Sequence, residues 1–315
     1  MDRYQEHVPV LKDEVIRLLN IKSDGIYADC TMGYGGHGQA ILEKLDTQGI
    51  YIGIDKDEYA IKKSDEWIHN YPAKTFAIKD DYKNFKNIAM QIDIKRYDGI
   101  LIDMGLSSVQ LDEAGRGFSY HHSGQLDMRM DRSHEVSAWD IVNTYEENEI
   151  SKIIFAYGEE KHARMIARAI CRARKKETID STTQFAEIIK EAYPLKERYK
   201  GKHPARKTFQ ALRIAVNNEL TDLDKAIEEM TAFLAKDGVL AIITFHSLED
   251  RIVKETFNKL AKGCTCPKDF PVCVCGAKQD FKILTHKPII PGTAECNLNK
   301  RSRSAKLRAL KRIGY

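Results

Sequence analysis

Four aspartates, each closing a short apolar run, are the residues of this chain best placed to do chemistry. Asp29 follows Ile26-Tyr-Ala, Asp55 follows Ile50-Tyr-Ile-Gly-Ile, Asp80 or Asp81 follows Thr75-Phe-Ala-Ile78-Lys, and Asp103 follows Tyr97-Asp-Gly-Ile-Leu-Ile. Between the first two lies the turn Gly33-Tyr-Gly-Gly-His-Gly38, which opens an apolar-periodic segment, Gln39 to Leu45. Glycines there permit unusual backbone angles and let a ligand approach the main chain. Read literally, Gly33-x-Gly35-x-x-Gly38 matches a dinucleotide fingerprint. Asp29 opposes that reading, because a carboxylate ahead of the loop repels a pyrophosphate and favours a cation. S-adenosylmethionine, with an ammonium and a sulfonium and no phosphate, suits the position better than a nicotinamide dinucleotide. Asp55 is spaced to hold ribose hydroxyls of either ligand.

The elements that must position these acids are strands alternating with helices. Leu11 to Asn20 carries one apolar helical face, Ala60 to His69 and Ile88 to Ile94 read as helices, and the four acids fall at the carboxyl ends of four strands. That is a doubly wound α/β sheet with its site along one edge. After Thr208 the pattern resumes with amphipathic helices, Gly238 as their stop, and a fifth strand, Val239 to Phe245. His246 follows it on the same edge and is a candidate substrate contact, while Ser247-x-x-Asp250 reads as the capping box of the next helix. Lys282 to Thr285 and Ala305 to Arg308 read as a closing hairpin.

From Met104 to Asp131 periodicity stops, yet the stretch keeps its Phe, Tyr, Met and Leu, which marks a functional loop rather than disorder. The segment from about 114 to 206 carries no strand pattern and reads as a helical insert, with the two halves of the α/β domain at 1–113 and 207–315. Within it Lys161, Arg164, Arg168, Arg172 and Lys175 draw a basic stripe opposite Ile166 and Ile170. The net charge of +4 is local: seven Lys or Arg and no acid lie between Asn297 and Tyr315, and seven more between Pro194 and Arg213 against Glu197 alone. Two such zones can face phosphates together, or be two solvated faces. At 315 residues, 43% hydrophobic and 30% charged, the chain is that of a folded soluble protein with no membrane-length run and no signal core, hence cytoplasmic. Seven cysteines, an odd number, favour reduced thiols. Cys264, Cys266, Cys273 and Cys275 offer four soft ligands for a structural zinc, although their one-residue gaps are tighter than the usual spacing; reduced thiols are the alternative.

These segments together resemble the bacterial 16S ribosomal RNA cytosine-N(4) methyltransferases, the RsmH or MraW family. The residues carrying the likeness are His7-Val-Pro-Val10, Asp29-Cys-Thr-Met-Gly-Tyr-Gly-Gly-His37, Asp103 to Asp112, Arg116-Gly-Phe118, Leu126 to Asp131, His203-Pro-Ala205 with Thr208 to Ile214, Phe245 to Asp250 and Arg301 to Arg308. It departs from the family at Val109, where proline is commoner. The resemblance implies a Rossmann-like class I S-adenosylmethionine-dependent methyltransferase fold with an inserted helical domain. It implies cofactor contacts at Gly35, Gly36, His37, Asp55, Tyr82, Asp103 and Gln110. It further implies methylation of a cytosine amine in the decoding region of 16S rRNA of the small ribosomal subunit. Asp103, or a main-chain carbonyl beside it, could accept a hydrogen bond from that amine. Phe118 or Tyr120 could stack on the unstacked base, and Arg116, Lys202, Arg206, Lys207, Arg301 and Arg303 are the candidate RNA contacts. Monomer and homodimer are both open.

Overall fold

The computed structural model describes residues 9–199, 201, 203–263 and 278–314. The four-cysteine cluster and Lys202 lie outside the described residues. The chain divides into two compact units, one made of Met1–Gly105 with Asp222–Tyr315, the other of Leu106–Thr221. The second unit's bounds, 106 and 221, lie outside the 114 and 206 read from composition. The aperiodic loop and the helix Ala205–Asn217 bury their apolar side chains in the same core, which a compositional boundary does not register.

The first unit is built on one seven-stranded sheet in the order β3-β2-β1-β4-β5-β7-β6. Its strands are β1 (Ile26–Asp29), β2 (Ile50–Asp55), β3 (Lys74–Lys79), β4 (Tyr97–Asp103), β5 (Leu234–Thr244), β6 (Phe281–Ile283) and β7 (Lys306–Arg312). The first five run parallel, and β7 lies antiparallel between β5 and β6. The central strands are apolar on both faces because both are covered; Tyr51, Ile52, Ile100, Leu101, Ile242 and Ile243 are fully buried. No helix among the described residues is long and apolar enough to cross a membrane.

Two boundaries differ from the sequence reading. Gly238 does not stop a helix: the preceding helix ends at Ala232, and β5 begins at Leu234 opposite Tyr97. Pairing then jumps to Val239 opposite Gly99, so Ala235 to Gly238 form a bulge, with Asp237 at φ 68°. The helix of the glycine turn starts at Gly36, inside the glycine-rich stretch. A Cβ at Gly38 would run into the Tyr51 ring, so close packing on β2 overrides glycine's low helix propensity.

The second unit packs helices Ala138–Thr144, Glu147–Gly158, Ala163–Arg174, Thr182–Ala192 and Ala205–Asn217 around Ile150, Ile154, Ile166, Ile170, Phe185 and Phe209. The loop before them is strapped down by polar contacts. The Arg116 guanidinium donates to the carbonyls of Arg129 and Met130 at 3.2 and 2.9 Å. Asn217 accepts from the Met130 amide at 2.7 Å and donates to the Met128 carbonyl at 2.8 Å, where Met128 takes a left-handed φ of 62°.

Candidate functional site

All the strand-terminal acids of the first unit fall at one edge because β1, β2, β3 and β4 are parallel and nearly in register: Asp29 pairs with Gly53 and Leu101, Asp55 with Lys79, and Asp103 with Ile243. The carboxyl ends of a parallel sheet are where such folds bind ligands.

Asp29 is 1% exposed. Its Oδ1 accepts the Thr31 amide at 3.2 Å, and its Oδ2 accepts the Tyr51 hydroxyl at 3.4 Å. Burial raises its pKa to about 7, only partly opposed by the Thr31 hydrogen bond, and the nearby Asp55 adds to the rise. Asp55 fixes the glycine turn: Oδ2 accepts the Gly33 amide and Oδ1 the Asp57 amide, both at 2.8 Å. Burial lifts it to about 6. A carboxylate has about four acceptor positions, so two remain for ligand hydroxyls. Asp103 is tied to the turn after β1 through its own amide, which donates to Thr31 Oγ1 at 2.6 Å. Burial, followed by the charges of Asp29 and Glu249, holds its carboxyl well above the usual range. Its Oδ1 is buried and has no hydrogen-bond partner among the described residues.

The glycine turn rests on an aromatic bed. Gly35 stands at φ 87°, where a Cβ would overlap the Trp67 indole, and Gly36 lies against Pro9, 3.1 Å from where its Cβ would stand. On the other side the turn is open: a Cβ at Gly33 would meet nothing nearer than the Thr31 carbonyl at 3.8 Å. His37, 5% exposed, contacts the Val10 carbonyl through Nε2 at 2.9 Å and Asp103 Oδ2 through Nδ1 at 3.6 Å. Tyr82 is buried in the turn Tyr82–Asn84, with Lys56 Nζ 5.6 Å from its ring and paired to Asp81 at 2.8 Å. An open glycine face, acids for cationic and hydroxyl groups, and an orphaned buried acceptor fit S-adenosylmethionine.

The sequence model of the MraW methylase family matches residues 4–313. The chain belongs to that family. It is 51% identical over 308 residues to a ribosomal RNA small subunit methyltransferase H of Clostridium botulinum (strain Kyoto / Type A2), covering 98% of this chain and 99% of the relative. To the protein of the same name from Brevibacillus brevis it is 47% identical over 307 residues, covering 98% of each. The cofactor is S-adenosylmethionine, which supplies an electrophilic methyl group.

Gly35, Gly36, His37, Asp55, Tyr82 and Asp103 all sit in the first unit at or beside the carboxyl edge. Gln110 belongs to the second unit, 7% exposed, where it and Ser107 cap each other's amides at 3.1 and 3.2 Å. His246 caps the helix Ser247–Leu260: Nδ1 accepts the Glu249 amide at 3.4 Å, while Glu249 accepts the Phe245 and His246 amides. The cap is therefore His246 rather than Ser247, and Asp250 is drawn away to Arg308 at 2.6 Å and Lys306 at 2.8 Å.

Several basic candidates prove to be structural. Arg116 is 5% exposed and holds its own loop, so as an RNA contact it is corrected. Of the terminal zone, Arg308 and Lys306 pair with Asp250, Lys311 pairs with Asp237 at 2.7 Å, and Arg312 donates to the Ala232 and Leu234 carbonyls. Four of its seven basic residues lie on β7, a sheet strand, and the other three, Lys300, Arg301 and Arg303, are exposed ahead of it. In the second unit a cavity of about 680 Å³ is lined by Glu160, Tyr193, Glu197, His203, Arg206 and Lys207, among others. Lys207 donates to the Glu159 carbonyl at 2.7 Å, and the Arg206 guanidinium has no ion-pair partner among the described residues. Tyr120 stacks on His203 with centroids 4.8 Å apart and planes at 15°. Phe118, 6% exposed, is core. Sequence reasoning missed Thr31, Tyr51, Trp67 and Glu249. Thr31 lies inside the glycine motif and Glu249 inside the stretch Phe245 to Asp250, where both could have been found; Tyr51 and Trp67 are brought to the site only by the fold.

Proposed function

We propose that this chain transfers a methyl group from S-adenosylmethionine to the exocyclic amine of a cytosine in 16S rRNA, in the decoding region of the small ribosomal subunit. The observation that carries this reading is end-to-end similarity, at about half identity, to relatives named small subunit rRNA methyltransferases. The site supports an amine acceptor over a ring carbon. Ring-carbon methylation calls for a thiolate nucleophile, and among the described residues the thiol beside the acids, Cys30, is 2% exposed with its pKa pushed well up by burial.

The cytosine amine is a poor nucleophile because its lone pair is delocalised into the ring. Alignment with the methyl group therefore supplies much of the acceleration, up to roughly 7–11 kcal/mol. Asp103 Oδ1 is the acceptor to which the amine donates, localising that lone pair. Gly33 to Gly36 and Asp55 hold and orient the cofactor. The base reaches the methyl group only when unstacked, and the Tyr120–His203 face with Arg206 and Lys207 is the candidate RNA surface of the second unit. Arg301 and Arg303 are candidates in the first.

The test is transfer of labelled methyl to 30S subunits and naked 16S RNA from cells lacking this protein, with nucleoside mass spectrometry. N(4)-methylcytidine in either substrate supports the reading. Methylation elsewhere, or none despite measurable cofactor binding, overturns it and points to a DNA, protein or other acceptor. RNA affinity without cofactor affinity would mark a silent assembly factor.

A further inference from the structure

The residues from 161 to 176 carry seven Lys or Arg and no acid, and the helix Ala163–Arg174 lies among them. Its inner face is apolar: Ile166, Ala167 and Ile170 are fully buried in the core of the second unit. Arg164, Arg168, Arg172 and Lys175 are all exposed, and Lys175 continues the helical backbone at φ −70° and ψ −20°. With about 3.6 residues per turn and ~1.5 Å per residue, these four cations fall within an arc of about 80° and form a ridge about 16 Å long. Arg168 reaches Glu147 at 3.6 Å in an exposed pair that water screens. Arg164, Arg172 and Lys175 have no ion-pair partner among the described residues. Just ahead of the helix, Lys161 pairs with Glu197 at 2.8 Å and lines the cavity that Arg206 and Lys207 also line.

Local helix physics accounts for only part of this pattern. The helix dipole favours cations in the last turn, which suits Arg172 and Lys175. Arg164 stands in the first turn, against the dipole, and Arg164, Arg168 and Arg172 recur at intervals of four, where like charges repel. The ridge therefore destabilises its own helix slightly, and a polyanion laid along it relieves that repulsion. We propose that this ridge is a rail for the backbone of double-helical RNA flanking the target nucleotide, distinct from the Tyr120–His203 face. The inference rests on the RNA reading given above and adds to it the structural class of the RNA. Single strands are held by stacking their bases on aromatic side chains, whereas a duplex keeps its bases stacked on one another and offers phosphates. The helix Ala163–Arg174 contains no aromatic residue. The Tyr120–His203 stack, with Arg206 and Lys207, has what an unstacked nucleotide needs; the ridge has what a duplex backbone needs.

The test is equilibrium binding of the full chain, across a salt series, to a fully paired RNA duplex and to a uridine homopolymer of the same length. Combining Arg164→Gln, Arg172→Gln and Lys175→Gln is expected to flatten the dependence of log affinity on log salt by about 2–3 for the duplex, and by less than about 1 for the uridine strand. Affinity for S-adenosylhomocysteine should stay within threefold of wild type, showing that the variant is folded. Arg164→Lys with Arg172→Lys should keep the duplex slope, because a backbone rail needs charge rather than a planar guanidinium. An unchanged duplex slope in the triple variant overturns the proposal. Equal flattening on both probes overturns it too, since the ridge would then be a single-strand contact, and so does a lysine variant as weak as the glutamine one, since arginine would then be stacking on bases. Wild-type protein that binds S-adenosylhomocysteine but neither probe nor 16S RNA would instead overturn the RNA reading on which the rail rests.

Discussion

Asp29 should make the folded protein less stable at neutral pH than an amide would. It is 1% exposed, and its carboxyl is held at about 7 against an ordinary value of 3.8. Between those two values the unfolded chain has released the proton and the folded chain has kept it, so stability falls as pH rises across the window. Above the window the accumulated cost is about 4 kcal/mol, the worth of a gap of roughly three pH units. Asn at this position keeps an acceptor for the Thr31 amide and can donate to Tyr51 Oη. Asp29→Asn is therefore expected to stabilise the protein by about 2–4 kcal/mol at pH 8 and by almost nothing at pH 4, while weakening cofactor binding at least tenfold. Urea unfolding at fixed pH values in a Trp139→Phe background gives the measurement, because Trp67 then reports the first unit alone. A variant no more stable than wild type at pH 8, or a gain equal at pH 5 and pH 8, would refute the argument.

Gly35→Ala places a side chain in a left-handed conformation and against the Trp67 indole; a stability loss of about 1–3 kcal/mol by denaturation and a tenfold or greater loss of cofactor affinity by calorimetry are expected. Arg206→Ala and Lys207→Ala should each flatten the dependence of log affinity on log salt for 16S RNA by about 0.7–0.9 while leaving cofactor affinity unchanged. An unchanged salt slope would take those side chains out of the interface. Arg308→Leu leaves Asp250 with Lys306 only, and should cost about 3 kcal/mol in urea unfolding with no change in that salt slope, since Arg308 is 6% exposed.

The sheet was legible because its strands are short, apolar and each punctuated by an acid or a glycine; β1 to β4 appear within a residue or so of where period and composition place them. The acids' common edge followed from parallel order alone. Other features were invisible because they depend on partners far along the chain. The bulge after Leu234 is set by pairing to Tyr97 and by Lys311 reaching Asp237, and neither is visible from Gly238 itself. Charge was legible as a count but not as a role: Arg116 read as an RNA contact and Arg308 as one charge of a basic terminal zone, yet one donates to loop carbonyls and the other pairs with Asp250. Likewise His246 looked like a substrate contact and Ser247 like a cap, and the capping geometry fell to the histidine. A residue type announces what it can bind; only the fold decides whether water, backbone or ligand claims it.

The second unit is one continuous stretch, Leu106–Thr221, whereas the first is interrupted by it between β4 and β5, which are neighbours in the sheet. During folding, β5 must find β4 across that whole stretch. The entropy of closing a loop grows only with the logarithm of its length, about 0.6 kcal/mol per doubling, so the interruption is thermodynamically mild. Its kinetic consequence is larger. If Leu106–Thr221 collapses first around its own core, the span that the chain must close between β4 and β5 is already shortened. If it is slow, β4 waits with an open edge, exposed to pairing with another chain. Destabilising the buried Ile154 or Phe185, far in sequence from any acid of the sheet, should then appear first as lost soluble yield and only afterwards as lost activity.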